Sequence, residues 1–173
     1  MRLLICFQRL RTNWLVLLFV VVIIGGFLPL AEAAEAPVLY LFWGDGCPHC
    51  EKEKEFLKEL QQRYPQLDMR WFETWNHREL QDLAQAIRRA YTIERASVPL
   101  TILGNWTIIG FQSPEETGTQ IEEQVIQCLA SGECIDAIEK LGPHRLAAKV
   151  KADIVSGNPD GWEWFPASQA TKK

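Results

Sequence analysis

With 173 residues, 47% of them hydrophobic, and a formal net charge of −4, the chain has material for one buried core and reads as a single domain. An acidic balance of this kind excludes nucleic acid as a partner, because a surface that binds polyphosphate is basic. Five cysteines in so short a chain turn attention to its redox compartment.

The first 33 residues carry a leader pattern. Arg2, Arg9 and Arg11 make a basic start, Trp14 to Leu30 is uncharged and apolar, and Ala31-Glu32-Ala33 supplies an A-x-A cleavage site with Ala34 behind it. A cut after Ala36 is disfavoured because Pro37 would follow the scissile bond. Two readings remain: a signal peptide that is removed, or an uncleaved anchor. The 17 residues from Trp14 to Leu30 lie at the lower edge of a bilayer span, and Gly25-Gly26 and Pro29 weaken them as a helix. Both readings place the remainder outside the cytoplasm, in the periplasm or an equivalent lumen, secreted or tethered to the membrane through residues 14–30. Residues 1–33 hold three of the 18 basic and one of the 22 acidic residues, so 15 basic and 21 acidic side chains remain, a net of −6. Cys6 departs with the leader. Cys47, Cys50, Cys128 and Cys134 stay, an even number that suggests two pairs in an oxidising compartment.

Val38 to Trp43 is almost wholly apolar, as a central strand covered on both faces should be. A helix is predicted over Glu51 to Tyr64, its apolar stripe made by Phe56, Leu57, Leu60 and Tyr64, and Pro65 stops it. Leu67 to Trp75 reads as a second strand. Asn76 with Glu79 three positions later has the form of a capping box, opening a helix that carries Leu80, Leu83, Ala84, Ile87 and Ala90. Ser97 to Leu103 and Trp106 to Phe111 read as two strands joined by a Gly104-Asn105 hairpin turn, with a cis Val98-Pro99 bond allowed at the opening. Ser113-Pro114-Glu115-Glu116 combines an N-cap, a first-turn proline and a capping acid ahead of Ile121, Val125 and Leu129. The order is β-α-β-α-β-β-α, an α/β fold with a central mixed sheet flanked by helices.

Between the first strand and its helix stands Cys47-Pro48-His49-Cys50. A helix N-terminus offers unpaired N–H groups and partial positive charge, so a thiolate at Cys47 is stabilised there. Pro48 suits the first helical position, which needs no N–H. His49 adds a donor or a positive charge beside the sulfur. Cys50 is near enough to resolve a mixed disulfide on Cys47. The same spacing serves half a zinc site, but no second Cys-x-x-Cys or His-x-His follows to complete it, so metal is set aside. No cofactor is called for.

Three motifs resemble the thioredoxin superfamily over about residues 37–131. Trp43 precedes Cys47 as the tryptophan of W-x-x-x-C does; Cys47-Pro48-His49-Cys50 has the C-P-H-C form of the DsbA-like disulfide oxidases; Ser97-Val98-Pro99 is similar to the family's cis-proline loop. Val98-Pro99 followed by Ile108-Ile109-Gly110 also resembles glutaredoxins. The chain departs from the family at Leu41, where thioredoxins place a buried aspartate. It also has too few residues between Cys50 and Pro99 for DsbA's helical insertion. The resemblance implies a thiol-disulfide oxidoreductase that exchanges disulfides with cysteine-containing client proteins, as oxidase or isomerase. Cys47 would be the nucleophile and Cys50 the resolving thiol. Val98 and Pro99 would hold an extended substrate, with Trp43 flooring the groove. The rivals are a reductase fed by a membrane redox partner and a thioredoxin-like binding module that uses its cysteines little.

Cys128 and Cys134 flank Gly132, which reads as a left-handed helix cap that folds the chain back, so a local structural disulfide is feasible. A second redox pair and two free thiols stay open. His77 and His144 read as surface residues. In 132–173, Ile135, Ile138 and Leu141 suggest a short helix ending at Gly142-Pro143, and Leu146, Val150 and Ile154 another. The aromatic tail, Ser156 to Pro166, either packs back on the domain, binds a partner or stays unstructured.

Overall fold

The computed structural model describes residues 36–142, 148, 152 and 162–165. The leader with Cys6, His144, the stripe Leu146, Val150 and Ile154, and most of the tail lie outside the described residues.

Val38–Trp43 forms strand β1, and its uninterrupted apolar character has a simple cause: both of its faces are covered. Leu39 and Leu41 pack with Phe56, Leu57 and Leu60 of helix α1 (Pro48–Arg63) and with Ile121 and Val125 of helix α3 (Thr119–Ser131). Tyr40 and Phe42 turn the other way, onto Phe72 and onto Leu80, Leu83 and Ile87 of helix α2 (Arg78–Ala90). Strand alternation thus sorts one hydrophobic run into two cores.

The sheet has five strands in the order β4-β3-β1-β2-β5. Strand β2 (Asp68–Glu73) runs parallel to β1, while β3 (Leu100–Leu103) is antiparallel to β1 and to β4 (Trp106–Ile109). The fold is therefore mixed α/β. Gly104 turns the β3–β4 hairpin with φ 60°, a conformation that side chains other than glycine disfavour. Part of the aromatic tail returns as strand β5 (Trp162–Phe165), antiparallel to β2. The Phe165 ring lies 4.3 Å from that of Trp71, and Gln61 donates to the Phe165 carbonyl at 2.9 Å.

Three local expectations are corrected. Strand β2 ends at Glu73 rather than Trp75, because Thr74 leaves the ladder, donating its N–H and its hydroxyl to the Trp43 carbonyl at 2.8 and 2.9 Å. The Asn76–Glu79 capping box does not form. His77 is the N-cap, one residue later than expected, and the Asn76 backbone N–H that Glu79 would have received in the box donates to the Glu73 carboxylate at 2.8 Å instead. The helix predicted through Ile135, Ile138 and Leu141 shrinks to a 3₁₀ turn at Glu139–Leu141, held by Tyr40, whose hydroxyl donates to Asp136 at 2.7 Å.

The Ser113 cap does form, accepting from the Glu116 amide at 3.3 Å, although the first turn, Pro114–Gly118, is π-helical. Gly118 permits a close crossing, since a Cβ there would stand 2.8 Å from the Phe56 ring of α1.

Candidate active site

Strand β1 delivers the chain to a tight turn, Gly44-Asp45-Gly46, with Gly46 at φ 75°. Cys47 then takes the N-cap position of α1 with extended backbone, and its sulfur accepts the Cys50 amide at 3.3 Å. Pro48 occupies the first helical turn. The sulfur of Cys47 thus does what an oxygen normally does at a helix start, receiving an N–H that has no carbonyl partner. Cys47 and Cys50 form a disulfide with Cα atoms 5.3 Å apart. Cys47 is 6% exposed and Cys50 fully buried, so an incoming sulfur meets Cys47 first.

The turn before Cys47 is anchored from β2. The buried Glu73 carboxylate accepts the amides of Asp45 at 3.1 Å, Trp75 at 2.9 Å and Asn76 at 2.8 Å. Burial works against its charge, yet those three N–H donors and nearby His77 outweigh it and hold the carboxyl below the usual carboxylate range. Trp75 folds across Gly44 so closely that a Cβ there would lie 2.2 Å from the indole.

His49 is exposed, and its Nδ1 lies 2.8 Å from the Phe111 carbonyl. A carbonyl only accepts, so Nδ1 carries the hydrogen and the ring is tied to the segment leaving β4. The Val98–Pro99 bond is cis. Leu100 pairs with Phe42, so Val98 and Pro99 reach the sheet end where β1 meets the cysteine turn. The Pro99 carbonyl accepts the Gly110 amide at 2.8 Å. Trp43 is half-buried, with the Lys54 ammonium 3.7 Å from its ring centre. The openly exposed aromatic at this end is Trp75, at 52%.

Two residues here escaped the sequence reading. Trp75 was assigned to a strand, although the polar Thr74 and Asn76 on either side marked a turn. Glu53 extends the stripe of Phe56, Leu57 and Leu60 by one helical step and is 1% exposed. Its carboxylate accepts from the Thr101 hydroxyl of β3, and Thr101 pairs with Leu41. Burial drives the Glu53 carboxyl up to about 8, against the smaller opposing effect of the Thr101 bond.

The second cysteine pair lies elsewhere. Cys128 is in the last turn of α3, Gly132 caps that helix at φ 67°, and Cys134 folds back into a disulfide with Cys128, the Cα atoms 5.3 Å apart. Both sulfurs face the β3–β4 turn, where a Cβ on Gly104 would stand 3.1 Å from that of Cys134. Because Leu103 pairs with Leu39 while Leu100 pairs with Phe42, this turn is at the opposite end of the sheet from Cys47.

Compared with known protein families and with curated proteins, the chain finds no match. What the structure supplies is a small α/β fold with a mixed sheet and a Cys-x-x-Cys pair at disulfide distance, compatible with a thioredoxin-like fold and with redox chemistry.

Proposed function

We propose that the protein is an extracytoplasmic thiol-disulfide oxidoreductase of thioredoxin-like topology that transfers its Cys47–Cys50 disulfide to cysteine-containing client proteins. The observation that carries this is Cys47 as N-cap of α1, receiving the Cys50 amide on its sulfur. When the disulfide opens, the same N–H and the helix macrodipole stabilise a thiolate on Cys47, which favours the reduced form and makes the disulfide a stronger oxidant. A client thiolate attacks the Cys47 sulfur, Cys50 departs, and a second client thiol releases the client with its new disulfide. Val98 lends its backbone to an extended client, Pro99 closes the groove beside the sulfurs, and Trp75 offers apolar contact at the rim.

In this account residues 1–33 are an export signal or anchor, 37–131 the catalytic domain, and 132–173 an extension whose strand β5 completes the sheet. The direct test is oxidation of a reduced, unfolded disulfide protein in a glutathione buffer. The account expects catalysis by the wild type and none by Cys47→Ser. Equal, uncatalysed rates with both would overturn it.

A further inference from the structure

Lys54 lies on α1 one helical turn past Cys50. A lysine stem is long enough to carry its charge away from a helix into water, yet this side chain is only 12% exposed. Its ammonium stands 3.7 Å from the ring centre of Trp43, 3.4 Å from the Glu51 carboxylate and 3.8 Å from the Glu163 carboxylate of β5. The ring centre of Trp71 is 5.9 Å away. A cation drawn out of water needs compensation, and two carboxylates and two indole rings supply it.

Strand register explains why these groups meet. Trp43 pairs with Glu73 and Leu41 with Trp71, so both tryptophans stand on the sheet face that α1 covers. Glu163 pairs with Trp71, and Phe165, two residues on, packs its ring on that of Trp71. Helix α1 holds β5 at two points, Lys54 on Glu163 and Gln61 on the Phe165 carbonyl. A row of contacts thus runs from β5 through Lys54 to Trp43, the last residue before the turn whose Gly44 carbonyl accepts the Cys47 amide at 3.2 Å. The Trp43 indole N–H is buried and finds no hydrogen-bond partner among the described residues, so no hydrogen bond sets the ring. The cation over its face does.

Resting on the oxidoreductase reading above, with Trp43 as the floor of the client groove, we propose that Lys54 is a positioning residue for Trp43 and that strand β5, through Glu163, holds Lys54 in place. The C-terminal strand is then part of the client-binding unit as well as of the sheet. Lys54 acts through Trp43 and not on the sulfurs, so it sets how tightly an extended client is held and leaves the exchange step alone. Glutathione is too small to lie along the groove and does not sense it.

The test follows opening of the Cys47–Cys50 disulfide in the full chain by two reduced substrates, glutathione and an extended peptide bearing one cysteine among apolar residues. Lys54→Met keeps the stem and loses the charge. It should raise the half-saturating peptide concentration about tenfold with the limiting rate unchanged, and leave the glutathione rate within about twofold of wild type. Lys54→Arg, whose guanidinium also stacks on indole, should restore peptide binding. Glu163→Gln should weaken peptide binding in the same direction by about threefold. Unchanged peptide binding in Lys54→Met would overturn the positioning role, and so would an equal loss with both substrates, which a general weakening of the fold produces. Unchanged binding in Glu163→Gln alone would overturn the part given to β5. A wild-type disulfide that neither substrate opens faster than an ordinary one would overturn the oxidoreductase reading itself. Should Lys54→Met not fold, fluorine-19 NMR of fluorotryptophan-labelled protein decides: the Trp43 resonance, assigned with Trp43→Phe, should move in Glu163→Gln, and a fixed resonance would refute the relay.

Discussion

The molecule carries two disulfides of equal Cα separation, yet they sit at opposite ends of the sheet and of their helices, and Cys50 is fully buried where Cys134 is only partly so. Cys47 caps a helix N-terminus, where unpaired N–H groups and the positive end of the macrodipole favour a thiolate. Cys128 lies in the last turn of α3, where carbonyls and the negative end disfavour one. The helix end separates the two pairs more sharply than burial does. Three residues of β3, about 10 Å, lie between the ends at which the two pairs sit. In the proposed account the second pair is a structural clasp that fixes the end of α3 to the β3–β4 turn.

The comparison breaks most visibly if the wrong cysteine is essential. Cys47→Ser should abolish disulfide exchange, and Cys134→Ser should leave the exchange rate of Cys47–Cys50 unchanged. Parallel stopped-flow assays with glutathione check both. A loss of exchange in Cys134→Ser would restore the electron-relay reading.

The next effect is on stability and comes from Glu53. Its carboxyl rises from 4.5 to about 8 on folding, so the native state holds a proton that the unfolded state has lost between those values. Stability from the neutral carboxyl is complete below about 4.5 and is lost as pH rises through about 8. Glu53→Gln does not titrate, so its denaturant midpoint should overtake the wild type's across that window by about 1.4 kcal/mol per pH unit, roughly 5 kcal/mol in all. Parallel midpoints at pH 5 and pH 9 would contradict it.

Smaller is the loss of the clasp. Opening a loop as short as Cys128–Cys134 should lower stability by roughly 2 kcal/mol, read by urea unfolding of Cys134→Ser. Smallest is Glu73→Gln, which weakens the bonds to Asp45, Trp75 and Asn76 and should cost about 1–2 kcal/mol. Because the folded carboxyl of Glu73 lies below its ordinary value, its contribution is present above that value and is lost as pH falls through the folded one. The difference between Glu73→Gln and wild type should therefore shrink on acidification, measured by Trp75 fluorescence during unfolding.

Much of this was legible from residue order. Val38–Trp43 declared itself a doubly covered strand, Gly104-Asn105 a hairpin turn, and Cys47-Pro48-His49-Cys50 a helix start bearing a cysteine pair, because each depends on neighbours in the chain. The misses depend on distant partners. Asn76 has the residue type of a cap, but Glu73 at the end of β2 holds its backbone N–H and the helix starts one residue later, from His77. Glu53 looked solvated because acids on amphipathic helices usually are, and its burial needs Thr101 on another strand to receive it. Strand β5 was hidden for the same reason: Trp162–Phe165 becomes a strand through pairing with the open edge of β2, a partner far away in the chain.

The most direct test of the central claim is one titration of the oxidised protein in glutathione buffers of graded potential, with both cysteine pairs followed by mass. The account predicts that Cys47–Cys50 reduces first, at a potential near DsbA's about −120 mV, while Cys128–Cys134 stays oxidised to below about −300 mV. Reduction of Cys47–Cys50 only near about −270 mV, the thioredoxin value, or at the same potential as Cys128–Cys134, would contradict it.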